Sequence, residues 1–385
     1  MRHLSQNAAV AGVILTGMTF APPVFTQTNP TTAPIRAEAV RAVMKRVADW
    51  QLVNPSASSN RYTEDCWTWG AFYTGLMAWS RIASEPKYHD AMMAMGQRFD
   101  WKPARRIYHA DDHCVSQTYL ELYLQHHDPA MLQPTKERFD YILEHPSPNS
   151  LQFNIPGALD RWSWCDSLFM APPAWARLFV ATEEKKYLDY MTRQWWITTD
   201  YLYDEAEHLY FRDSTFFEKR EANGKKIFWS RGNGWVIAGL ARVLPYLPKD
   251  HPDRPRFEKL FREMAEKIRS CQQPDGLWHA SLLDPASYPL KETSGSGFFV
   301  FAFAWGVNHG LLDRATFEPA IARGWIALAD CVNADGKLTH VQPVGADPKS
   351  FSPESSDVFG VGAFLLAGSE VYQLARFPAQ RSHAQ

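Results

Sequence analysis

The sequence lacks an excess of charge of either sign. Its 385 residues carry 40 Lys and Arg against 42 Asp and Glu, so the formal net charge is only −2. Proteins that bind nucleic acids or anionic membranes present a basic patch or a large positive net charge. We therefore expect no nucleic acid and no membrane surface as a partner. An acidic ligand must be held by a local cluster of charges or dipoles.

Cysteine and metal-binding patterns are also scarce. No two of the five cysteines form a CxxC pair, which argues against a zinc site and against a disulfide-rich scaffold. None of the 13 histidines has a second ligand at metal-binding spacing. Gly232 and Gly234 lack the Lys-Ser/Thr of a phosphate-binding loop. We predict no metal and no organic cofactor, and we assign these glycines to close approach of the backbone to a ligand or another helix.

Long apolar runs are missing as well. A single early cation, Arg2, precedes a short apolar run that ends at Phe20, and residues 21–34 are rich in Pro and Thr. The run is too short to span a bilayer, and this order of features is typical of a secretory signal peptide. We predict a signal peptide and linker over residues 1–33, one domain over residues 34–378 and a tail over residues 379–385. The protein is then exported, to the periplasm or beyond, and no later segment is expected to cross a membrane.

Most of the sequence has apolar residues at the spacing typical of helices. Apolar residues recur at the period of a helix and few stretches alternate as strands do. With clusters of Gly, Pro, Asn and Asp as boundaries, the pattern predicts about twelve helices. Their predicted ranges are 34–53, 66–83, 86–99, 113–126, 129–144, 165–181, 185–203, 232–247, 252–271, 294–308, 314–332 and 357–376.

The predicted helices alternate in character along the chain. Odd-numbered ones carry charge on one face, as in residues 256–267, whereas even-numbered ones are nearly uncharged and rich in Gly, Ala and aromatics, as in residues 297–306. Amphipathic helices face solvent, and helices that are apolar all round are buried. Six outer helices alternating with six inner ones predict an all-α fold, an (α/α)6 barrel. A two-domain helical bundle is the alternative, but no linker interrupts the middle of the chain.

A polar or aromatic cluster precedes each predicted inner helix. The clusters are residues 62–67, 109–113, 162–166, 229–235, 291–296 and 352–357. If the inner helices run parallel, all six clusters meet at one end of the ring and form a single site. Helix N-termini aimed at one cavity favour a ligand with a carboxylate. The long connection over residues 204–231, with its aromatic flanks and Asn-Gly turn, predicts a β-hairpin lid over this end.

The sequence WSWCD places candidate catalytic residues in the third cluster. Trp162 and Trp164 offer flat apolar faces on which a sugar can stack, and Asp166 offers a carboxyl group for proton transfer. A helix cap is the alternative role for Asp166. Asp111 and Asp112 in the second cluster provide a further carboxylate, as glycosidases need.

Other side chains near the predicted cavity are candidates for ligand binding. Arg231 is expected to bind a carboxylate with its guanidinium, with Trp235 one helical turn further on. A structural salt bridge is the alternative role for Arg231. The remaining candidates are Trp67, His109 and, in the predicted lid, His208 and Arg212.

Three stretches resemble the unsaturated rhamnogalacturonyl hydrolases of glycoside hydrolase family 105. They are residues 162–173 (WSWCDSLFMAPP), 231–235 (RGNGW) and 360–370 (GVGAFLLAGSE). The resemblance covers almost the whole chain from about residue 34 onward and implies an (α/α)6 barrel. It also implies a substrate whose terminal uronic acid, expected to be galacturonyl, carries the C4=C5 double bond left by a polysaccharide lyase on rhamnogalacturonan.

The resemblance further implies a reaction and residue roles. The matching Asp166 would protonate C4 and then act as base toward the water that adds at C5. An aspartate at position 111 or 112 would assist, and Arg231 and Trp235 would hold the uronate. Two alternatives stay open from the residues themselves. One is an inverting glycosidase acting on saturated oligosaccharides, and the other is a carbohydrate-binding protein without turnover.

Overall fold

The computed structural model describes residues 35–55 and 62–377. The described residues all belong to one compact unit. The predicted signal peptide and linker and the predicted tail lie outside the described residues.

Thirteen α-helices occur in the described ranges. They are α1 (Ala37–Val53), α2 (Trp67–Ser80), α3 (Lys87–Arg98), α4 (Ser116–His126), α5 (Pro129–Glu144), α6 (Ser167–Met170), α7 (Pro172–Thr182), α8 (Lys185–Leu202), α9 (Ser230–Val243), α10 (Arg254–Ser270), α11 (Thr293–Asn308), α12 (Arg314–Ala329) and α13 (Val358–Arg376). The predicted sixth helix is divided into α6 and α7. Pro172 and Pro173 lie at the division, where their missing amides cannot continue the hydrogen-bond ladder of α6.

The inner helices form a closed ring. α2 contacts α4, α4 contacts α7, α6 and α7 contact α9, α9 contacts α11, α11 contacts α13, and α13 returns to α2. The intervening helices α1, α3, α5, α8, α10 and α12 pack outside this ring. Burial follows the same division, since every residue of α9 is buried whereas α10 buries only one face. The predicted (α/α)6 barrel is confirmed.

Helix α13 corrects one prediction. No later segment is expected from the sequence to be apolar enough to cross a membrane, but Val358–Arg376 is long and apolar enough, with a mean hydropathy of 1.4. Of its most apolar window, 78% is buried inside the fold, against α11, α2 and α1. This composition is that of a helix surrounded by other helices in a barrel core.

The long connections lie over the end of the barrel where the inner helices begin. Between α8 and α9, strands β1 (Tyr203–Asp204) and β2 (Leu209–Tyr210) pair antiparallel. A second pair, β3 (Trp278–His279) and β4 (Lys291–Glu292), precedes α11. The predicted Asn-Gly turn forms between Arg220 and Lys226, which make an isolated bridge. The predicted lid therefore has shorter strands than expected. Isolated bridges join this connection to the loop before α6, between Trp164 and Asp213, and to the loop before α11, between Trp229 and Ser281.

Helices α2 and α13 touch where glycines face each other. A Cβ atom added to Gly75 would lie 2.3 Å from the carbonyl oxygen of Gly362, and one added to Gly362 would lie 2.3 Å from that of Ala71. Both obstacles are main-chain atoms, so the two helices can pack this closely only without side chains at the contact.

We expect Gly362→Ala to lower the free energy of unfolding by about 1–3 kcal/mol, the usual effect of overpacking a core. Denaturant unfolding measures this change. Gly345→Ala is the control, because its added Cβ would come no closer than 3.6 Å to the carbonyl oxygen of Pro343. Equal stability of Gly362→Ala and the unsubstituted protein would contradict this account of the contact.

Candidate active site

The N-terminal ends of the inner helices meet at one end of the barrel. Trp67 at the start of α2 lies 5.4 Å from the ring of Phe359 at the start of α13. The guanidinium of Arg231 at the start of α9 lies 4.8 Å from the same ring. His109 before α4 lies 5.1 Å from Trp164 before α6. These contacts link neighbouring clusters, so the convergence predicted from the sequence is present.

Asp166 lies directly before α6 and is 9% exposed. It makes no capping hydrogen bond to the helix, so the capping alternative is not observed. Instead, the thiol of Cys165 donates a hydrogen bond to its Oδ1 at 3.2 Å. A Cβ atom added to Gly232 would lie 3.6 Å from the same oxygen. Helix α9 therefore approaches Asp166 at a glycine, as we expected for this motif.

Burial raises the pKa of Asp166 above its ordinary value. The guanidinium of Arg212, the Cys165 thiol and Arg231 lower the pKa, but they do not cancel the effect of burial. A carboxyl group that keeps its proton to higher pH is suited to act as a general acid.

The adjacent carboxylates of Asp111 and Asp112 have different surroundings. The carboxylate of Asp112 accepts hydrogen bonds from two donors of Arg106. The backbone N–H donates at 2.7 Å and the side-chain Nη2 at 2.5 Å. Asp111 keeps a partly open side chain, 17% exposed, with one oxygen 3.7 Å from Nδ1 of His109. The sequence left the choice between the two open. The carboxylate of Asp111 is available to a ligand, whereas the carboxylate of Asp112 is bound by Arg106.

Burial raises the pKa of Asp111 to about 7, against a lowering effect of Arg106, and the charges of Asp166 and Asp112 raise it further. The one-turn helix Ala110–His113 that carries Asp111 packs against α6. Two carboxyl groups with raised pKa values therefore lie on neighbouring elements, and paired carboxyl groups in different surroundings are what acid and base catalysis uses.

A cavity of about 670 Å³ opens beside Asp111, and Trp67 and Arg105 are among the side chains that line it. This volume lies in the range of sites that hold small ligands. The partly exposed Trp67 offers a stacking face there.

Arg212 is the guanidinium that most affects the carboxyl of Asp166. Its Nη1 lies 2.6 Å from Oδ2 of Asp213. The Cζ atom of its guanidinium lies 4.5 Å from the centroid of the Phe153 ring. Among the described residues, its buried Nε has no hydrogen-bond partner. The guanidinium of Arg212 therefore lies near Asp166 with one donor that has no partner within the protein.

Arg231 is not presented to the cavity as predicted. It is 1% exposed, and its Nη1 and Nη2 donate to the carbonyl oxygens of Gln342 at 2.5 Å and Pro343 at 2.8 Å. Its guanidinium is stacked between Trp229 and Phe359. The residue holds the loop between α12 and α13, so a structural role is observed, with main-chain carbonyls in place of the salt bridge we considered.

Three other candidates lie away from the cavity. Trp235 is 1% exposed and packs on Phe298 inside the barrel, 6.1 Å from Trp67. Trp162 is buried edge-on against Tyr190 of the outer helix α8. His208 lies at the β1–β2 turn, where its Nδ1 is 3.0 Å from the hydroxyl of Tyr203. None of the three lines the cavity beside Asp111.

Asn233, the central residue of the RGNGW motif, binds the backbone of strand β2. Its Oδ1 accepts a hydrogen bond from the N–H of Tyr210 at 2.8 Å, and its Nδ2 donates to the carbonyl of Tyr210 at 3.1 Å. Both bonds fix β2, and Arg212 follows two residues later. Neither this role nor that of Cys165 was predicted from the sequence. Adjacency to Asp166 was the available signal for Cys165, and nothing local marked Asn233.

A family model described as Glycosyl Hydrolase Family 88 matches residues 37–375. The chain belongs to glycosyl hydrolase family 88. It is therefore a glycoside hydrolase, which confirms the predicted enzyme class. Within the described part of this family member, no group of three or more His, Cys, Asp or Glu side chains is placed to hold a metal ion.

Two curated relatives are similar over most of their length. A protein of Formosa agariphila named unsaturated 3S-rhamnoglycuronyl hydrolase is 40% identical over 345 residues, which cover 87% of this chain and 91% of that protein. A protein of the same name from an Alteromonas species is 34% identical over 358 residues, which cover 87% of each chain.

Solved structures share the barrel. A family 88 glycosyl hydrolase from Bacteroides vulgatus matches with a TM-score of 0.79 and 29% identity, covering 88% of this chain and 99% of that one. A possible family 105 member from Salmonella enterica shares the fold with a TM-score of 0.74 and 18% identity, covering 92% and 99%. The relationship to these hydrolases that three motifs predicted is confirmed.

The raised pKa of Asp111 predicts a stability that depends on pH. Its ordinary value is 3.8 and its value in the fold is about 7. Between these values the unfolded chain releases a proton that the folded chain keeps, so stability falls as pH rises. We expect Asp111→Asn to be about 1–3 kcal/mol more stable than the unsubstituted protein near pH 7, and not more stable near pH 4.

Denaturant unfolding at the two pH values tests this expectation. The control is Asp100→Asn, which replaces a carboxylate that is 76% exposed. If Asp111→Asn raised the free energy of unfolding equally at both pH values, the folded state would not hold a proton on Asp111.

Proposed function

We propose that this family 88 enzyme removes a terminal unsaturated uronic acid from short, rhamnose-containing oligosaccharides made by a polysaccharide lyase. The observation that carries the proposal is the buried Asp166, with a raised pKa, beside Arg212 and close to Asp111. The name shared by the relatives at 40% and 34% identity supports a uronyl group linked to rhamnose. We also propose that residues 1–33 direct export, so that the enzyme meets its substrate in the periplasm or outside the cell.

Hydration of the double bond explains the need for a protonated Asp166. Its carboxyl donates a proton to C4 of the C4=C5 bond, and positive charge develops at C5 and the ring oxygen. Water adds at C5 while the Asp166 carboxylate accepts its proton, so the carboxyl group is restored. The resulting hemiketal opens by breaking the bond between C5 and the ring oxygen, which leaves a hemiacetal at C1, and the aglycone leaves with one water consumed overall.

The neighbouring groups have separate tasks in this scheme. Arg212 binds the carboxylate of the uronic acid, with charge-assisted hydrogen bonds, next to the proton donor. Asp111, where it ionises, places negative charge opposite the cation that develops at C5. Trp67 offers a stacking face at the cavity wall. Arg231 holds the loop that carries Gln342 and Pro343, and Trp235 packs inside the barrel.

Asp166→Asn removes both the proton donor and the base. Because each such role contributes about 10²–10⁴-fold, we expect kcat on an unsaturated disaccharide to fall by at least about 1000-fold. Loss of the ultraviolet absorbance of the double bond measures turnover, and circular dichroism checks the fold. Asp189→Asn, which changes a carboxylate that is 51% exposed on α8, is the matched control. Retention of most activity by Asp166→Asn would refute the mechanism.

The same assay separates the two alternatives. An inverting glycosidase would cleave a saturated disaccharide as readily as the unsaturated one. A carbohydrate-binding protein without turnover would bind the unsaturated disaccharide and leave its absorbance unchanged at high protein concentration.

The thiol of Cys165 predicts a shift in the pH profile. Its hydrogen bond favours the ionised form of Asp166 and lowers the pKa of that carboxyl. Cys165→Ala should therefore raise this pKa, and the activity loss at high pH should move to higher pH. Cys165→Ser keeps a donor and should remain closer to the unsubstituted protein. An alkaline limb that does not move in Cys165→Ala would show that the thiol does not affect Asp166.

A further inference from the structure

The segment that carries Arg212 is joined to the segment that carries Asp166. Trp164 and Asp213 form an isolated antiparallel bridge, and the N–H of Cys165 donates to the carbonyl oxygen of Arg212 at 2.8 Å. The backbones of the acid and of the arginine beside it are therefore held in one register. These contacts place the backbone of Arg212 but do not direct its long side chain, so a further contact is needed to fix the guanidinium.

Asp213 makes this further contact. Its side chain is 1% exposed, and its Oδ2 accepts a hydrogen bond from Nη1 of Arg212 at 2.6 Å. Its Oδ1 accepts the N–H of Thr215 at 2.8 Å and so caps the one-turn helix Ser214–Phe216. Because this second bond holds the carboxylate in place, the charge-assisted bond to Nη1 restricts the guanidinium to one orientation.

The ion pair leaves part of the guanidinium of Arg212 free. Asp213 bonds to Nη1, whereas Nη2 has no hydrogen-bond partner in the described part of the chain. The side chain of Arg212 is still 16% exposed, and the ring of Phe153 lies 4.5 Å from its Cζ atom. A ligand carboxylate can therefore meet a donor of Arg212 without displacing Asp213.

We propose that Asp213 is a positioning residue, which directs the guanidinium of Arg212 toward the uronate and balances its positive charge beside Asp166. The inference rests on the proposed function, in which Arg212 binds the carboxylate of the uronic acid. Without Asp213, the guanidinium would lose its fixed orientation. Its unbalanced charge would also favour the ionised form of Asp166, which cannot donate a proton. The ion pair therefore serves both substrate binding and proton transfer.

Several charged or titratable groups face Asp166 from the elements around it. They are Arg212 and Asp213 on the connection between β2 and α9, Arg231 on α9, Cys165 in the same loop as Asp166, and Asp111 on the one-turn helix before α4. Burial raises the pKa of Asp166 most, the charge of Arg212 lowers it and the charge of Asp213 raises it. Loss of the Asp213 charge therefore lowers this pKa, and the acid loses its proton at lower pH.

Asp213→Asn keeps the shape of the side chain and an oxygen for the N–H of Thr215 but removes the charge. We expect the alkaline limb of the kcat profile on an unsaturated disaccharide to move to lower pH by roughly 1 pH unit. This shift is opposite in direction to that of Cys165→Ala. We also expect KM to rise by about 3-fold or more, because the guanidinium is no longer directed at the uronate.

Two further variants support this test. Asp213→Ser also offers an oxygen to the N–H of Thr215 and should behave like Asp213→Asn, and circular dichroism checks that both variants fold. Asp200→Asn is the matched control, because it breaks an Asp–Arg pair of the same 2.6 Å length, with Arg256, in which both side chains are more than half exposed. The control should change neither KM nor the pH profile.

A double-mutant cycle tests whether Asp213 acts through Arg212. Once Arg212→Gln has removed the guanidinium, adding Asp213→Asn should raise KM little further. A rise in KM as large in the Arg212→Gln background as in the unsubstituted enzyme would overturn the proposal.

A KM that does not rise in Asp213→Asn, or an alkaline limb that does not move to lower pH, would overturn the proposal and leave the proposed function intact. Failure of both Asp213 variants to fold would show a structural role and would also overturn it. If the unsubstituted enzyme does not consume the unsaturated disaccharide, the proposed function fails, and a crystal structure of Asp213→Asn still tests the assignment. The guanidinium of Arg212 should leave its place beside Phe153, and a guanidinium that stays there would refute the positioning role.

Discussion

Burial of the Asp166 carboxyl is the constraint on which the candidate site depends. The side chain of Asp166 is only 9% exposed, and α9 passes its Oδ1 at Gly232, where an added Cβ atom would lie 3.6 Å from that oxygen. Desolvation then exceeds the attraction of Arg212 and Arg231 and keeps the pKa of Asp166 raised. A carboxyl group in the same position but open to water would ionise at its ordinary pKa and would be a poor proton donor at neutral pH.

The side chains around Asp166 leave its pKa raised and still provide positive charge for an acidic sugar. Arg212 is close enough to lower the pKa of Asp166, and its pairing with Asp213 limits that effect. Arg231 is held further back by main-chain carbonyls, where it supports the wall of the site. At the opposite end of the barrel, buried charges are paired with each other. There the buried Glu121 forms ion pairs with Arg177 and Arg242, which link three inner helices.

The fold was predictable because burial imposes a periodic pattern on helices. Charged and uncharged helices alternate strictly enough to predict the ring, the clusters and the position of Asp166. Glu121, Arg177 and Arg242 escaped notice because they are isolated charges in otherwise apolar helices. The choice between Asp111 and Asp112 also required coordinates, since adjacent residues on one helical turn point in different directions. The contacts of Arg231 were not predictable, because the loop that accepts its hydrogen bonds, around Gln342, is more than a hundred residues away in sequence.

Transfer of the Asp166 proton to carbon is the central claim, and hydrolysis in deuterated water tests it most directly. Nuclear magnetic resonance of the first turnover of an unsaturated disaccharide shows where solvent hydrogen enters the released uronic acid. The account predicts that one deuterium appears on C4 as the double bond disappears. Release of the aglycone with the double bond intact and no deuterium on C4 would contradict it.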